Sequence, residues 1–152
     1  RRVGDLNVLS EYERHTLMTQ FNNTATDSPP ESCIHRIIER QVEQFPEAIA
    51  LEFEDQQISY SKLNRRANRL AHHLKAKGIG PNVLVGICLN RSIDMVVSIL
   101  AVLKAGGTYV PMDPTYPKER LEFMLADTEA PFVITHGNLG KYFKDNNLFS
   151  YI

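Results

Sequence analysis

The spacing of apolar residues along the chain predicts an alternation of helices and strands. Apolar side chains recur every three to four residues in two stretches, 34–45 and 63–74, and each stretch predicts an amphipathic helix. Pro46 ends the first helix, and Gly78, which tolerates a left-handed backbone, follows the second. Residues 83–89 are apolar on both alternating faces, which is typical of a central strand covered on both sides.

The remaining elements complete an α/β pattern. Ser92 can cap an almost wholly apolar helix that runs to Leu103 and stops at Gly106 and Gly107. Residues 48–53 predict a strand, and 58–60 predict either a second short strand, which would form a hairpin with it, or the start of the next helix. Further predicted elements are a strand at 108–112, a helix at 118–127 and a strand at 132–135. This order predicts a layered α/β domain, with a mainly parallel sheet flanked by helices and joined by right-handed crossovers.

The first 31 residues have a different character. Ser10 and Glu13 have the spacing of a capping box, which predicts a short helix ending near Phe21. Residues 22–31 are rich in Asn, Thr, Asp and Ser and contain the pair Pro29-Pro30. This composition fits a linker or surface arm and fits a simple loop within one compact domain equally well.

Composition and charge limit the kinds of protein to which this chain can belong. The chain has 152 residues, of which 43% are hydrophobic and 23% charged, enough for one well-formed core. Its 17 basic and 18 acidic residues give no bulk reason to expect nucleic acid or an anionic membrane as a partner. The longest apolar run, 95–103, is far shorter than the roughly 20 residues of a membrane span. Two cysteines without a zinc motif, and no signal peptide, favour a cytoplasmic location.

The residues by themselves carry little recognisable chemistry. Gly78-Ile79-Gly80 lacks the third glycine of a dinucleotide loop and precedes a strand, while Gly106-Gly107 closes a helix. Cys88 is expected to be a small buried hydrophobe. Arg120 can clamp an anion, although pairing with a local carboxylate or carbonyl is the favoured interpretation. The five histidines are expected to face solvent: His15, His35, His72, His73 and His136. Four carboxylates are expected to serve as helix-end or turn residues: Asp94, Asp113, Glu119 and Asp127. Five basic residues are expected to form a solvated helix face: Arg65, Arg66, Arg69, Lys75 and Lys77.

Two segments of the chain resemble sequence motifs of a known protein family. Residues 103–128, LKAGGTYVPMDPTYPKERLEFMLADT, resemble the second core motif of the adenylation domains of nonribosomal peptide synthetases. Residues 58–74, ISYSKLNRRANRLAHHL, are similar to their first core motif. The arm LSEYERHTLMTQFNNTATDSPP resembles the linker from a preceding condensation domain, and CIHRIIERQVEQFPEAIALEFEDQQISY the start of the domain.

This resemblance implies three parts and an activity. Residues 1–31 correspond to an interdomain linker with a short helix, 32–135 to an N-terminal adenylation subdomain, and 136–152 to a truncated or atypical end. Members of the family use ATP and Mg²⁺ to convert an amino acid to aminoacyl-AMP and pyrophosphate, and pass the aminoacyl group to the phosphopantetheine thiol of a carrier domain. The implied partners are condensation and carrier domains, with an MbtH-like protein as a possible addition.

The family's phosphate loop, amino acid pocket, nucleotide contacts and catalytic lysine lie beyond the motifs in this sequence. No catalytic, cofactor-binding or metal-binding residue is therefore assigned, and the chain alone is expected to be inactive. The matching motif residues are structural: Tyr60, Leu63, Lys104, Ala105, Gly106, Tyr109, Pro111, Asp113, Tyr116, Pro117 and Arg120.

Simple roles follow for some of them. Gly106 allows the helix to stop, Pro111 blocks further strand pairing, and Asp113-Pro114 starts a turn. Two alternatives stay open: a non-catalytic module that binds a condensation domain or an MbtH-like protein, and a related acyl-CoA or luciferase-like ligase. The linker and the motif at 104–113 favour the peptide synthetase over the second alternative.

Overall fold

A computed structural model describes residues 8–26 and 33–135, together with Gly140 and Phe143. It divides into two units, 1–32 and 33–152, and each is described by itself. Apart from Gly140 and Phe143, the predicted atypical end at 136–152 lies outside the described residues. None of the helices within the described ranges is long and apolar enough to cross a membrane.

The first unit contains the predicted short helix. Helix α1 spans Glu11–His15 and continues into a π-helical turn over Thr16–Gln20. The Ser10 hydroxyl accepts from the Glu13 N–H at 3.2 Å, and the Glu13 carboxylate accepts from the Ser10 N–H at 2.8 Å. The Ser10 hydroxyl, followed by its N–H, lowers the pKa of Glu13. The capping box is therefore confirmed, and the added π-helical turn is a feature that its spacing does not predict.

The second unit contains every helix and strand predicted for it. The helices are α2 (Ile34–Gln44), α3 (Tyr60–Ala76), α4 (Ile93–Ala105) and α5 (Lys118–Thr128). The strands are β1 (Ile49–Phe53), β2 (Gln56–Ser59), β3 (Leu84–Ile87), β4 (Thr108–Pro111) and β5 (Phe132–Ile134). Ser92 caps α4 by accepting from the Met95 N–H at 3.2 Å, and Gly106 ends it with φ of +91°.

The strands form two sheets. Strands β4, β3 and β5 form a parallel sheet in that order, which confirms that β3 is central. Strands β1 and β2 form a separate antiparallel hairpin. The parallel sheet thus places the carboxyl ends of three strands at one edge, and the loop that follows β4 there carries Asp113 and Tyr116 of the motif.

Alternate residues of β3 enter two different cores. Val85 and Ile87 pack in a cluster with Leu74 of α3 and Val102 of α4. On the opposite face, a Cβ added at Gly86 would lie 3.3 Å from Leu125 of α5 and within 3.2 Å of two other side chains. The sheet is covered by helices on both faces, as the apolar run at 83–89 predicts.

The predicted strand end at Pro111 is confirmed, since β4 ends there, but Pro111 does not block pairing with β3. Pro111 pairs in register with Ile87, and the next residue continues the ladder because the Met112 N–H donates to Ile87 O at 3.0 Å. The N–H of Thr108 also donates in this direction, to the carbonyl of Val83 immediately before β3. Even-numbered residues therefore donate toward β3, so the nitrogen of Pro111 faces the free edge of the sheet, where a missing N–H costs nothing.

Candidate functional site

The carboxyl ends of β3 and β4 border a cavity of about 600 Å³. Ligands of open α/β sheets bind at this edge, outside the carboxyl ends of the strands. Side chains such as Met95, Ile99 and Met124 form its apolar wall. Its polar wall consists of Asn90, Arg91, Tyr109, Asp113, Thr115, Tyr116 and Arg120.

Part of the sequence-predicted motif meets at this cavity. Its lining contains Tyr109, Pro111, Asp113, Tyr116 and Arg120. The others lie elsewhere: Tyr60 and Leu63 in the first two turns of α3, Lys104, Ala105 and Gly106 at the end of α4, and Pro117 immediately before α5. Some motif residues therefore line the cavity, and the others lie at or near the ends of helices. Their roles in function stay a prediction.

Asp113 is fixed as a charged turn residue. Its carboxylate accepts from the Thr115 N–H at 2.9 Å and from the Thr115 hydroxyl at 2.7 Å. The Tyr116 N–H closes the turn on Asp113 O at 3.1 Å. These two hydrogen bonds from Thr115, with a smaller contribution from the charge of Arg91, lower the pKa of Asp113. A carboxylate held ionised in this way shapes the loop and is unsuited to carry protons at neutral pH.

Arg120 contributes positive charge to the same cavity. Its guanidinium lies 5.8 Å from the centre of the Phe123 ring, within the range of a cation–π contact. The carboxylate pairing expected from the sequence is not found among the described residues. Arg120 and Arg91 both line the cavity, so its lining contains two guanidinium groups.

The basic face of α3 is not wholly solvated. The guanidinium of Arg66 pairs with the carboxylate of Asp94 at the start of α4. Arg65, Arg69 and Lys75 are exposed, as expected. The interpretation of this run as a purely solvated surface is therefore wrong for Arg66. The partner is 28 residues away, a separation at which local sequence pattern gives no signal.

Lys104 makes a second ion pair that the sequence does not predict. Its side chain is 5% exposed, and its ammonium pairs with the carboxylate of Glu39 on α2. That hydrogen bond is the main reason why the pKa of Glu39 is lowered. A lysine in an otherwise apolar helix indicates that a carboxylate lies near it, although the sequence does not say which one.

The cysteine and histidine side chains offer no activated nucleophile or base within the described ranges. Burial, with a smaller effect of Asp113, raises the pKa of the Cys88 thiol to about 11. His15, His72 and His73 are exposed, and His136 lies outside the described residues. His35 is half-buried, and burial lowers its pKa, so the expectation that it faces solvent is only partly right.

The sequence profile of AMP-binding enzymes matches residues 38–149, which include both sheets and the cavity. The chain belongs to the AMP-binding enzyme family. It is 46% identical over 139 residues to one of the linear gramicidin synthase proteins of Brevibacillus parabrevis, covering 91% of this chain and 3% of that protein. It is 48% identical over 147 residues to chondramide synthase cmdD of Chondromyces crocatus, covering 95% of this chain and 4% of that protein.

Solved structures of AMP-binding enzymes share the fold. The nonribosomal peptide synthetase FmoA3 in an AMPPNP-bound form has a TM-score of 0.79 at 23% identity, over 94% of this chain and 15% of that one. The N-terminal subdomain of Klebsiella oxytoca NpsA, in complex with 3-hydroxybenzoyl-AMSN, has a TM-score of 0.63 at 25% identity. That match covers 67% of this chain and 26% of that one.

These findings confirm the predicted fold class and the resemblance to the N-terminal part of a peptide synthetase adenylation domain. The chain spans only a few per cent of the length of the synthases that it matches.

For the Mg²⁺ that the resemblance implies, the described part of the chain contains no cluster of ligands. Within 8–26 and 33–135, no group of three His, Cys, Asp or Glu side chains could hold a metal ion. The carboxylate at the cavity, Asp113, is already bonded to Thr115. The described residues therefore do not fit a protein-bound Mg²⁺.

Proposed function

We propose that this chain supplies the N-terminal scaffold of an amino-acid-activating adenylation domain. The observation that carries the proposal is the family match over 38–149, in a fold that gathers motif residues at the carboxyl edge of a parallel sheet. The similarity to gramicidin and chondramide synthases favours a peptide synthetase over an acyl-CoA or luciferase-like ligase.

The proposed reaction has two steps. A carboxylate oxygen of the amino acid bonds to the α-phosphorus of Mg-ATP, the bond from that phosphorus to its bridging oxygen breaks, and pyrophosphate leaves. The thiol of a carrier-bound phosphopantetheine then takes the aminoacyl group and releases AMP. Both steps depend mainly on positioning and on stabilising charge in the transition state.

The residues of this chain contribute shape and charge to that chemistry. The turn at Asp113 fixes the loop after β4, while Arg91 and Arg120 make the cavity wall positive. Neither Cys88, with a raised pKa, nor Asp113, with a lowered one, is poised to exchange protons at neutral pH. We therefore assign no catalytic residue here, and we expect the chain alone to be inactive.

The proposal includes partners and location. Residues 1–31 serve as the linker from a condensation domain, 32–135 as the adenylation subdomain, and a carrier domain receives the product. An MbtH-like protein is a possible further partner, and the assembly is placed in the cytoplasm. The support is the resemblance of the arm and core motifs, together with the peptide synthases among the relatives.

Amino-acid-dependent ATP–pyrophosphate exchange tests the proposal. The chain is assayed alone and as a chimera, in which it replaces the matching 139-residue region of the gramicidin synthase described above. We expect exchange from the chimera and none from the chain alone. A folded but inactive chimera that still binds a condensation domain or an MbtH-like protein would favour a non-catalytic binding module instead.

A further inference from the structure

The cavity at the carboxyl ends of β3 and β4 lies where the two cores of the parallel sheet reach the surface. Met95 and Ile99 of α4 are half-buried and pack against the core cluster on one face of the sheet. Met124 of α5 is also half-buried and packs against the cluster on the other face. All three side chains line the cavity, so apolar groups from the margins of both cores are partly exposed at one place.

Large side chains with polar ends share this lining. Tyr109 on β4 is 38% exposed, and Tyr116 in the loop before α5 is 45% exposed. Arg91 and Arg120 line the same cavity. Tyrosine and arginine are enriched where protein surfaces bind one another, and exposed apolar groups rimmed by polar ones are typical of such surfaces. The lining therefore has the composition of a protein contact surface.

The free edge of β4 limits how another segment can cover this face. The nitrogens of Tyr109 and Pro111 point away from β3, and a proline nitrogen carries no hydrogen. Within β4, the N–H of Tyr109 is thus the only donor on the free edge. Proline at a sheet edge opposes the addition of a further strand. A segment that covers the cavity therefore packs through its side chains and does not extend the sheet beyond β4.

The size of a related subdomain indicates what this segment is. The match to the N-terminal subdomain of Klebsiella oxytoca NpsA covers 67% of this chain but only 26% of that one. Most of that subdomain therefore has no counterpart in the aligned part of this chain. A subdomain normally has its own hydrophobic core, to which all of its parts contribute.

We propose that the remainder of the adenylation subdomain packs into this cavity and over Tyr109 and Tyr116, so that protein fills the cavity in the complete domain. The inference rests on the proposed function, because the occupant is the part of an adenylation subdomain that lies outside this chain. Its apolar side chains lie against Met95, Ile99 and Met124, and its acceptor groups pair with the two arginines.

Hydroxyl-radical footprinting of the isolated chain and of the gramicidin synthase chimera tests the inference. Peptide mass spectrometry measures the oxidation rates of Met95, Tyr109 and Tyr116. In the chimera we expect these rates to fall at least about fivefold, because the centre of a protein interface excludes water. His72, which is exposed on α3 and does not line the cavity, should react equally fast in both proteins. Unchanged rates at Met95 and Tyr116, or an equal fall at His72, would overturn the inference.

The unmodified gramicidin synthase domain gives a second measurement that does not depend on the folding of the chimera. The side chains at the positions that align with Met95, Tyr109 and Tyr116 should be protected there as well. Rapid oxidation at these aligned positions would overturn the inference.

A lysine placed in the cavity distinguishes an open cavity from a filled one. In the isolated chain, the ammonium of Met124→Lys can reach water, whereas in the chimera it is buried. We expect Met124→Lys to lower the thermal midpoint of the chimera by about 5 °C more than that of the chain. Ala126→Lys is the matched control, since Ala126 is exposed on the same helix and does not line the cavity. Equal shifts of chain and chimera in Met124→Lys would contradict the inference.

These measurements separate the inference from the proposed function. Protection of the cavity in a chimera without ATP–pyrophosphate exchange supports the contact surface and contradicts the proposed function. Exchange by a chimera whose cavity stays open to oxidation supports the proposed function and overturns the inference.

Discussion

The ammonium of Lys104, near the end of α4, pairs with the carboxylate of Glu39 on α2, 65 positions earlier in the chain. The lysine side chain is 5% exposed and that of the glutamate 30%. Arg36, one turn before Glu39, also approaches the same carboxylate at 3.3 Å. A residue of the second core motif thus stabilises the packing of the helix that opens the domain.

Removing Lys104 should destabilise the fold because it leaves the Glu39 carboxylate without its buried partner. For Lys104→Met we expect a loss of roughly 1–3 kcal/mol in the free energy of unfolding. Urea denaturation measures it, with Lys62→Met, at an exposed position of α3, as the matched control. In a double-mutant cycle, the loss should shrink when Glu39→Gln is already present. Equal losses with and without Glu39→Gln would mean that the pair does not act as described.

The same ion pair should make the free energy of unfolding depend on pH in the acidic range. The pKa of Glu39 lies below its usual 4.5 in the folded state, chiefly because of Lys104, so the unfolded state binds the proton more readily. The stability from this group is present above about pH 4.5 and is lost as the pH falls through the folded pKa. Urea midpoints between about pH 3 and pH 6 should therefore fall less steeply in Lys104→Met than in the wild type. Parallel curves would contradict the coupling.

Gly106→Val should be more damaging than His72→Ala. Gly106 has φ of +91°, where a β-branched residue is strained, although an added Cβ would meet only ordinary contacts at 3.7 Å. We expect a loss of roughly 1–3 kcal/mol for Gly106→Val and less than about 0.5 kcal/mol for the exposed His72. Thermal midpoints compare the two, and similar midpoints would refute the role of this left-handed cap.

The two cysteines should react very differently. Cys33 is exposed, whereas Cys88 is buried with a pKa raised to about 11. Brief treatment of the native chain with iodoacetamide at neutral pH should modify Cys33 alone, and treatment in urea should modify both. Peptide mass spectrometry locates the modifications. Rapid native modification of Cys88 would show that the segment carrying it is not packed as described.

Local pattern predicts those features of this fold that are themselves local. The two apolar faces of β3 identify a central strand, Ser92 marks the start of α4, and Gly106 marks its end. Each of these predictions depends on a few neighbouring residues, whose backbone preferences and burial both favour the same element. The same holds for the capping box of Ser10 and Glu13.

The contacts that join these elements could not be predicted in the same way. The pairs Lys104–Glu39 and Arg66–Asp94 link different helices, and the register between helices depends on the packing of the whole core. The direction in which the Pro111 nitrogen points depends on the strand with which β4 pairs in the sheet. The cavity at the carboxyl ends of β3 and β4 likewise arises from elements that approach one another only in the folded chain.

The central claim is that the chain supplies a scaffold to an adenylation domain completed by residues outside it, and exchange by the gramicidin synthase chimera tests this most directly. The predicted result is ATP–pyrophosphate exchange within about tenfold of the host domain, with the host's amino acid preference, and none from the chain alone. The same chimera carrying Gly106→Val should lose stability and exchange together. A folded chimera without exchange, or robust exchange by the isolated chain, would contradict the account.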